Sequence, residues 1–334
     1  MEPLIFEPYL RPVVWGGRKL GDVLGKSLPS DAAYGESWEL SPHPQHVSRV
    51  AEGPLAGHTL ERVCDEFTSE VFGPGRESPG SFPLLVKFLD CRELLSIQVH
   101  PDDRLAAELA GEPFGKSEAW IVLDADPGAV IYAGLREGVS RSDVEGHLKT
   151  GTLEQALHAF IPHAGDCLYL PAGTVHAVGG GVLMAEIQQA SDATFRLYDW
   201  NRVGTDGQPR ELHIDQALTS INWEAGPVSP IRRPATEMED TRPLVERLVA
   251  GPHFEMTRIT SATGPMTAGT SGCEIWLVLE GAAKLKTATG YAREFRCGET
   301  VLLPAAARGP TWMPVGQGVT LLKVNLPADS QGDA

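Results

Sequence analysis

Apolar residues in this chain fall mainly into strand-length runs separated by turn residues. L-L-V-K-F-L-D-C-R-E-L-L-S-I-Q-V-H-P-D-D, starting at Leu84, carries two such runs, and G-K-S-E-A-W follows, ending at Trp120. Next, I-V-L-D-A-D-P-G-A-V-I-Y-A-G-L reads as two strands around a D-P-G turn. Strands resume at Cys167, and L-M-A-E-I-Q-Q-A-S-D-A-T-F-R-L-Y-D-W reads as strand, turn and strand. Helical spacing occurs between Gly57 and Gly73, where Leu60, Val63, Phe67 and Val71 predict one helix with its polar face outward. Ser142 with Glu145 and Thr152 with Gln155 have capping-box spacing, predicting helix starts near Asp143 and Leu153. The pattern is mainly β, with a few short helices.

The stretch from Glu224 to Pro243 combines prolines, arginines and an acidic cluster with little apolar periodicity, which reads as a linker. Beyond it, C-E-I-W-L-V-L-E-G-A-A-K-L and C-G-E-T-V-L-L-P repeat the logic of the first part. Gly298, five residues and Pro304 match Gly165, five residues and Pro171, without an inward histidine. These features predict a first domain over 1–225, a linker over 226–243, and a second domain over 244–334 that keeps the turn chemistry and lacks a metal site.

Two segments carry chemistry. On a strand, side chains at i and i+2 share a face, so Gln98 and His100 aim at one point while Ile97 and Val99 pack behind them. Glu118 follows on the next apolar segment. G-D-C-L-Y-L-P-A-G-T-V-H, Gly165 to His176, describes a turn, a short buried strand and a kinked corner. Proline fixes the bend, Gly173 permits the reversal, and His176 is delivered inward. A lone histidine among apolar neighbours is usually a satisfied core residue. Two independent segments delivering such groups argue for a metal. Trp15, beside Gly16 and Gly17, and Glu36 and Trp38 of G-E-S-W are further candidates for facing a pocket.

Composition limits the partners. A chain of 334 residues is long enough for two domains, and a net charge of −16 argues against nucleic acid or an anionic membrane. An anionic small molecule would need a local cationic pocket. The N-terminal M-E-P-L-I-F-E-P-Y-L-R-P lacks the basic end and apolar core of a signal peptide, and no apolar run reaches membrane-spanning length. The five cysteines, at 64, 91, 167, 273 and 297, show no C-x-x-C pairing; reduced thiols in a cytoplasmic protein fit best.

The corner motif resembles the second motif of the cupin barrels, and Gln98-x-His100 with Glu118 resembles a variant of their first. More closely, W-G-G, G-E-S-W, L-S-I-Q-V-H-P-D-D, G-K-S-E, G-D-C-L-Y-L-P-A-G-T-V-H-A and E-I-Q-Q-A-S-D-A-T-F-R-L-Y-D-W resemble the type I mannose-6-phosphate isomerases in their short bacterial form. That resemblance covers Trp15 to about Trp223. It implies two cupin, or jelly-roll β-barrel, domains, the first with short helices packed on it. It also implies one zinc ion held by Gln98, His100, Glu118 and His176, and active-site roles for Lys116, Asp192 and Arg196. The long-form enzymes have a histidine before that lysine, where this chain has Gly115.

The implied reaction interconverts D-mannose 6-phosphate and D-fructose 6-phosphate by moving a proton between C2 and C1 through an enediol. A divalent ion suits the developing negative charge, and the nitrogen and oxygen donors fit zinc but also manganese, iron or cobalt. Lys116 near a cation is expected to have a lowered pKa and to carry a proton. Arg196 suits a phosphate or an enediolate oxygen, and Asp192 suits an orienting or acid–base role. Trp15, Glu36, Lys116 and Arg196 are the expected substrate contacts. The alternatives are a non-catalytic sugar- or metal-binding cupin and an isomerase of another sugar phosphate. An iron-dependent oxygenase would normally show His-x-His in place of Gln98-x-His100.

Overall fold

The computed structural model describes residues 1–203, 207–233, 242–269 and 272–327. Three antiparallel sheets form its framework. The first has six strands in the order Tyr9–Gly17, Tyr34–Leu40, Leu84–Cys91, Val182–Gln189, Glu118–Ala125, Cys167–Leu170. The second has five: Phe195–Tyr198, Ile97–Val99, His176–Val178, Ile131–Leu135, Leu157–Phe160. The third, seven-stranded, lies entirely between Leu244 and Asn325. Among the described residues no helix is long and apolar enough to cross a membrane.

The central strands of the first sheet are buried along their whole length because both faces are covered. Leu183, Ala185 and Ile187 face a core that also holds Phe254, Met256, Ile275 and Leu322 from the C-terminal part. Val182 and Met184, on the opposite face, join Trp120, Ile131, Ala133 and Val178, so the first and second sheets pack face to face. Strands enclosed this way read as continuous apolar runs, and a charged residue within such a run must find a partner inside.

The two strands around D-P-G, Glu118–Ala125 and Ile131–Leu135, do not pair with each other. The turn passes the chain from the first sheet to the second. The same crossing separates Val182–Gln189 from Phe195–Tyr198, and Cys167–Leu170 from His176–Val178. At the last crossing Thr174 N donates to Pro171 O at 3.1 Å. Gly173 has φ +87°, and a β-carbon there would meet Asn222 at about 3 Å. Only glycine fits.

The third sheet encloses its own core around Trp276, Trp312 and Phe295. The N-terminus pairs with this part: Leu4 exchanges two backbone bonds of 2.9 Å with Leu302. Within the expected linker, Val228 N donates to Ala133 O at 3.0 Å and Ile231 pairs with Cys167. Residues 234–241 of that linker, and 328–334 of the expected second domain, lie outside the described residues.

The helices depart from expectation in instructive ways. The single helix expected between Gly57 and Gly73 is two, Leu60–Glu66 and Thr68–Phe72, broken at Phe67 (φ −129°, ψ 38°). The expected start near Asp143 is Arg141, because the capping box is formed by Ser140 and Asp143. Glu145 instead pairs with Arg141 at 2.9 Å. Leu153–Ala156 is a single 3₁₀ turn with no side-chain cap from Thr152, whose hydroxyl bonds His147. Three helices lie outside those the spacing predicts: Lys19–Asp22, Asp103–Ala110, capped by Asp102, and Ile214–Ser220.

Candidate functional site

The site lies between the facing sides of the first and second sheets. On the second sheet, Arg196, Gln98 and His176 stand opposite one another on three adjacent strands. On the first, Trp38, Lys87, Glu186 and Trp120 form a comparable row. Residues directly opposite on paired strands share a face. Apart from Trp38, the two rows line one cavity of ≈ 150 Å³ together with Trp15, Glu36, Lys116 and Asp192.

Four predicted ligands converge there. His176 Nε2 lies 3.2 Å from Glu118 Oε1 and 3.2 Å from the Gln98 amide nitrogen, and His100 Nε2 lies 3.4 Å from Glu118 Oε2. Ligand atoms around a tetrahedral zinc, with bonds of about 2.0–2.1 Å, stand roughly 3.3 Å apart. Each histidine is turned by its other nitrogen: His100 Nδ1 bonds Ala193 O and His176 Nδ1 bonds Thr174 O, both at 2.9 Å. That leaves each Nε2 as the inward donor atom. Glu118 Oε1 is buried and takes part in no hydrogen bond. Reversing the Gln98 amide would turn its oxygen toward His176 and its nitrogen toward the Ser96 hydroxyl, 3.4 Å away, which can accept. The donor set fits a divalent cation.

Charge states agree with that fit. Burial pushes His100 down to about 3, with the Lys116 ammonium adding to the effect, and burial lowers His176 as well. Both rings are neutral, the form that ligates. For Glu118, burial opposes ionisation, but the Lys116 ammonium outweighs it and holds the carboxyl well below its usual range. In protein stripped of metal with a chelator, the unfolded histidines, with an ordinary value of 6.5, bind protons that the folded ones refuse. Stability is therefore whole above about pH 6.5 and falls as pH drops toward 3, with Glu118 adding its loss further down. Thermal unfolding of chelator-treated protein should show the midpoint falling between about pH 7 and pH 5; a flat midpoint would contradict the neutral, buried pair.

The lowered pKa expected of Lys116 depends on a neighbouring cation, and the protein groups by themselves act in the other direction. Its Nζ donates to Glu118 Oε2 at 2.6 Å and lies 3.1 Å from His100 Nε2. Burial lowers its pKa, but Glu118, Glu186 and Asp192 together raise it above the ordinary lysine value. Gly115 has its own explanation. A β-carbon there would fall 2.5–2.6 Å from backbone atoms of Pro101, Asp102 and Asp103, so no histidine fits at this position without moving the start of the Asp103–Ala110 helix.

Trp15, Glu36, Asp192 and Arg196 all line the cavity. Glu36 is already engaged, with Arg11 at 3.1 Å and the Trp38 indole N–H at 2.6 Å. Trp38 itself is buried behind it, edge-on to Tyr9. Arg196 donates to the Ser96 hydroxyl at 3.3 Å and to Glu211 O at 2.7 Å.

Sequence reasoning passed over Lys87, Glu186 and Arg210, which also line the cavity. Glu186 Oε1 accepts from Trp120 Nε1 at 3.1 Å, and Oε2 lies 3.4 Å from Lys87 Nζ. Burial raises the Glu186 carboxyl against the pull of Lys87 and Lys116. The signal for the first two was a charge in the middle of each apolar run, L-L-V-K-F-L and L-M-A-E-I-Q.

The chain is similar to known proteins. Residues 5–116 match the family "Phosphomannose isomerase type I, catalytic domain", a span holding Gln98, His100 and Lys116. Mannose-6-phosphate isomerase ManA of Bacillus subtilis is 31% identical over 303 residues, 91% of this chain and 93% of that protein. A mannose-6-phosphate isomerase of Streptococcus mutans is 40% identical over 217 residues, 65% of this chain and 67% of that protein. The crystal structure of the mannose 6-phosphate isomerase from Bacillus subtilis superposes with a TM-score of 0.86 at 33% identity, covering 98% of this chain and 100% of that one.

Proposed function

The chain belongs to the type I mannose-6-phosphate isomerases, and from that premise we propose how its own residues interconvert D-mannose 6-phosphate and D-fructose 6-phosphate. The observation that carries the reading is the convergence of two neutral imidazoles, a carboxylate and an amide in the cavity that also presents Lys116, Glu186 and Arg196. A site that only bound metal would have no use for the last three.

In this reading Gln98, His100, Glu118 and His176 hold one divalent cation, which we assign as zinc from its two imidazoles and two oxygen donors. Such an ion supplies Lewis acidity toward sugar oxygens. The open-chain sugar lies with C1 and C2 toward the ligand cluster. Glu186, a carboxyl raised by burial, takes the proton from C2 while O1 gains one and the enediol forms; return of the proton to C1, with O2 giving up its own, completes the ketose. Lys116 enters protonated and donates to the oxygen on which charge develops, oriented by Glu118 and by the neighbouring Asp192. Arg196 stands beside Gln98 and supplies a permanent cation to the same enediolate. Trp15 and Glu36 form the wall along the carbon chain.

The test is incubation of metal-containing protein with mannose 6-phosphate while fructose 6-phosphate is measured. Arg196→Ala should lose about 10²–10³ in turnover and keep its metal, since its donor meets charge mainly in the transition state. Absence of isomerase activity in metal-loaded protein would overturn the reading in favour of a binding module.

A further inference from the structure

Next to the cavity stands a turn that the isomerisation chemistry does not use. Trp200 (φ 57°) and Asn201 (φ 54°) are the two non-glycine residues with positive φ among the described residues, and they are consecutive. Arg202 N donates to Asp199 O at 3.0 Å, closing the four residues into a turn whose two central positions are both left-handed. A tryptophan in that conformation is strained and persists only where its surroundings over-determine it. They do: Trp200 Nε1 donates to Leu95 O at 2.7 Å, and the Arg202 guanidinium donates to Leu94 O.

The turn places the Asp199 carboxylate, 5% exposed, between two guanidiniums. Arg202 reaches it through Nη2; Arg210 reaches it through Nη2 and, at 2.7 Å, through Nε. Burial alone would raise this carboxyl, but the two arginines hold it below its usual range. Arg196 feels the same charges without bonding Asp199, so three guanidiniums stand around one buried carboxylate, and the Glu211 side chain points to solvent, 84% exposed. The cluster keeps a net positive charge in a chain of net charge −16. Arg210 is 37% exposed and lines the cavity, whereas Lys116 and the ligand histidines are buried.

We propose that Arg210, held in orientation by Asp199, is the group that selects the phosphate of the substrate, leaving Arg196 to the reacting end. This deepens the proposed function and rests on it for the identity of the sugar. A guanidinium fixed through Nε and one Nη presents its remaining edge as a preorganised donor, which is the geometry phosphate recognition uses. Asp199 is then a positioning residue. The strained turn fixes where it stands.

The experiment uses metal-loaded wild-type protein, Arg210→Gln, Arg210→Lys and Asp199→Asn. Inorganic phosphate binding is followed by calorimetry, and KM and kcat are followed for mannose 6-phosphate. Arg210→Gln should weaken phosphate binding and raise KM about 10–100-fold, with kcat falling much less, the signature of a contact made equally before and in the transition state. Arg210→Lys should recover part of the loss because the charge remains. Asp199→Asn should shift KM and phosphate affinity in the same direction by a smaller factor. Unchanged phosphate affinity and KM in Arg210→Gln would overturn the proposal. If the wild type proved inactive on mannose 6-phosphate, the function would fall, while the phosphate titration would still decide the role of Arg210.

Discussion

His176→Ala should yield a folded protein that no longer retains a divalent ion and turns over mannose 6-phosphate at least about 10³-fold more slowly. The imidazole supplies one of four converging donors, 3.2 Å from both Gln98 and Glu118. Its loss leaves Glu118 with one histidine and the amide. A Lewis acid contributes several kcal/mol of charge stabilisation during such a reaction, and roughly 4 kcal/mol corresponds to about 10³ in rate. The substitution opens space beside Trp120, whose ring meets His176 edge-on at 5.4 Å, so some loss of thermal stability accompanies it. Circular dichroism separates that from unfolding, and elemental analysis reads the metal directly. Full metal retention in folded protein would remove His176 from the ligand set.

What the sequence disclosed here was local geometry. Pro171 and Gly173 fix a corner whatever surrounds it, so the inward delivery of His176 could be read from seven neighbouring letters. The shared face of Gln98 and His100 follows from their i, i+2 spacing. Their convergence with Glu118 from the opposite sheet is tertiary, and the resemblance to a known family supplied it. Lys87 and Glu186 were legible in principle. Each interrupts an apolar run on a strand buried on both faces, and a buried charge demands a partner. They became visible as a pair only once register set them opposite each other. Arg210 gave no local signal, because a loop arginine is ordinarily solvated and its position depends on Asp199. Helix ends misled for the opposite reason. Two serines, Ser140 and Ser142, both precede an acidic residue three positions on, and spacing alone does not choose between them.

The second large effect expected is at Lys116, where Lys116→Met should keep the metal and lose about 10³ in turnover. Two roles are combined in its ammonium: it donates to Glu118 at 2.6 Å, and it faces the cavity in which the enediolate forms. In the metal-loaded enzyme the ion compensates the Glu118 charge, so loss of the lysine does not strand a buried carboxylate. The missing term is the donor to the developing oxyanion and the proton it can release, which together contribute about 10²–10⁴. Lys116→Arg discriminates between charge and proton transfer. Arginine keeps the charge, but its guanidinium does not deprotonate near neutral pH. If charge alone matters, Lys116→Arg recovers most of the turnover; if Lys116 also moves a proton, it stays near the level of Lys116→Met. Turnover of Lys116→Met within tenfold of the wild type, at equal metal content, would remove Lys116 from the chemistry and leave Arg196 and Glu186 to account for it.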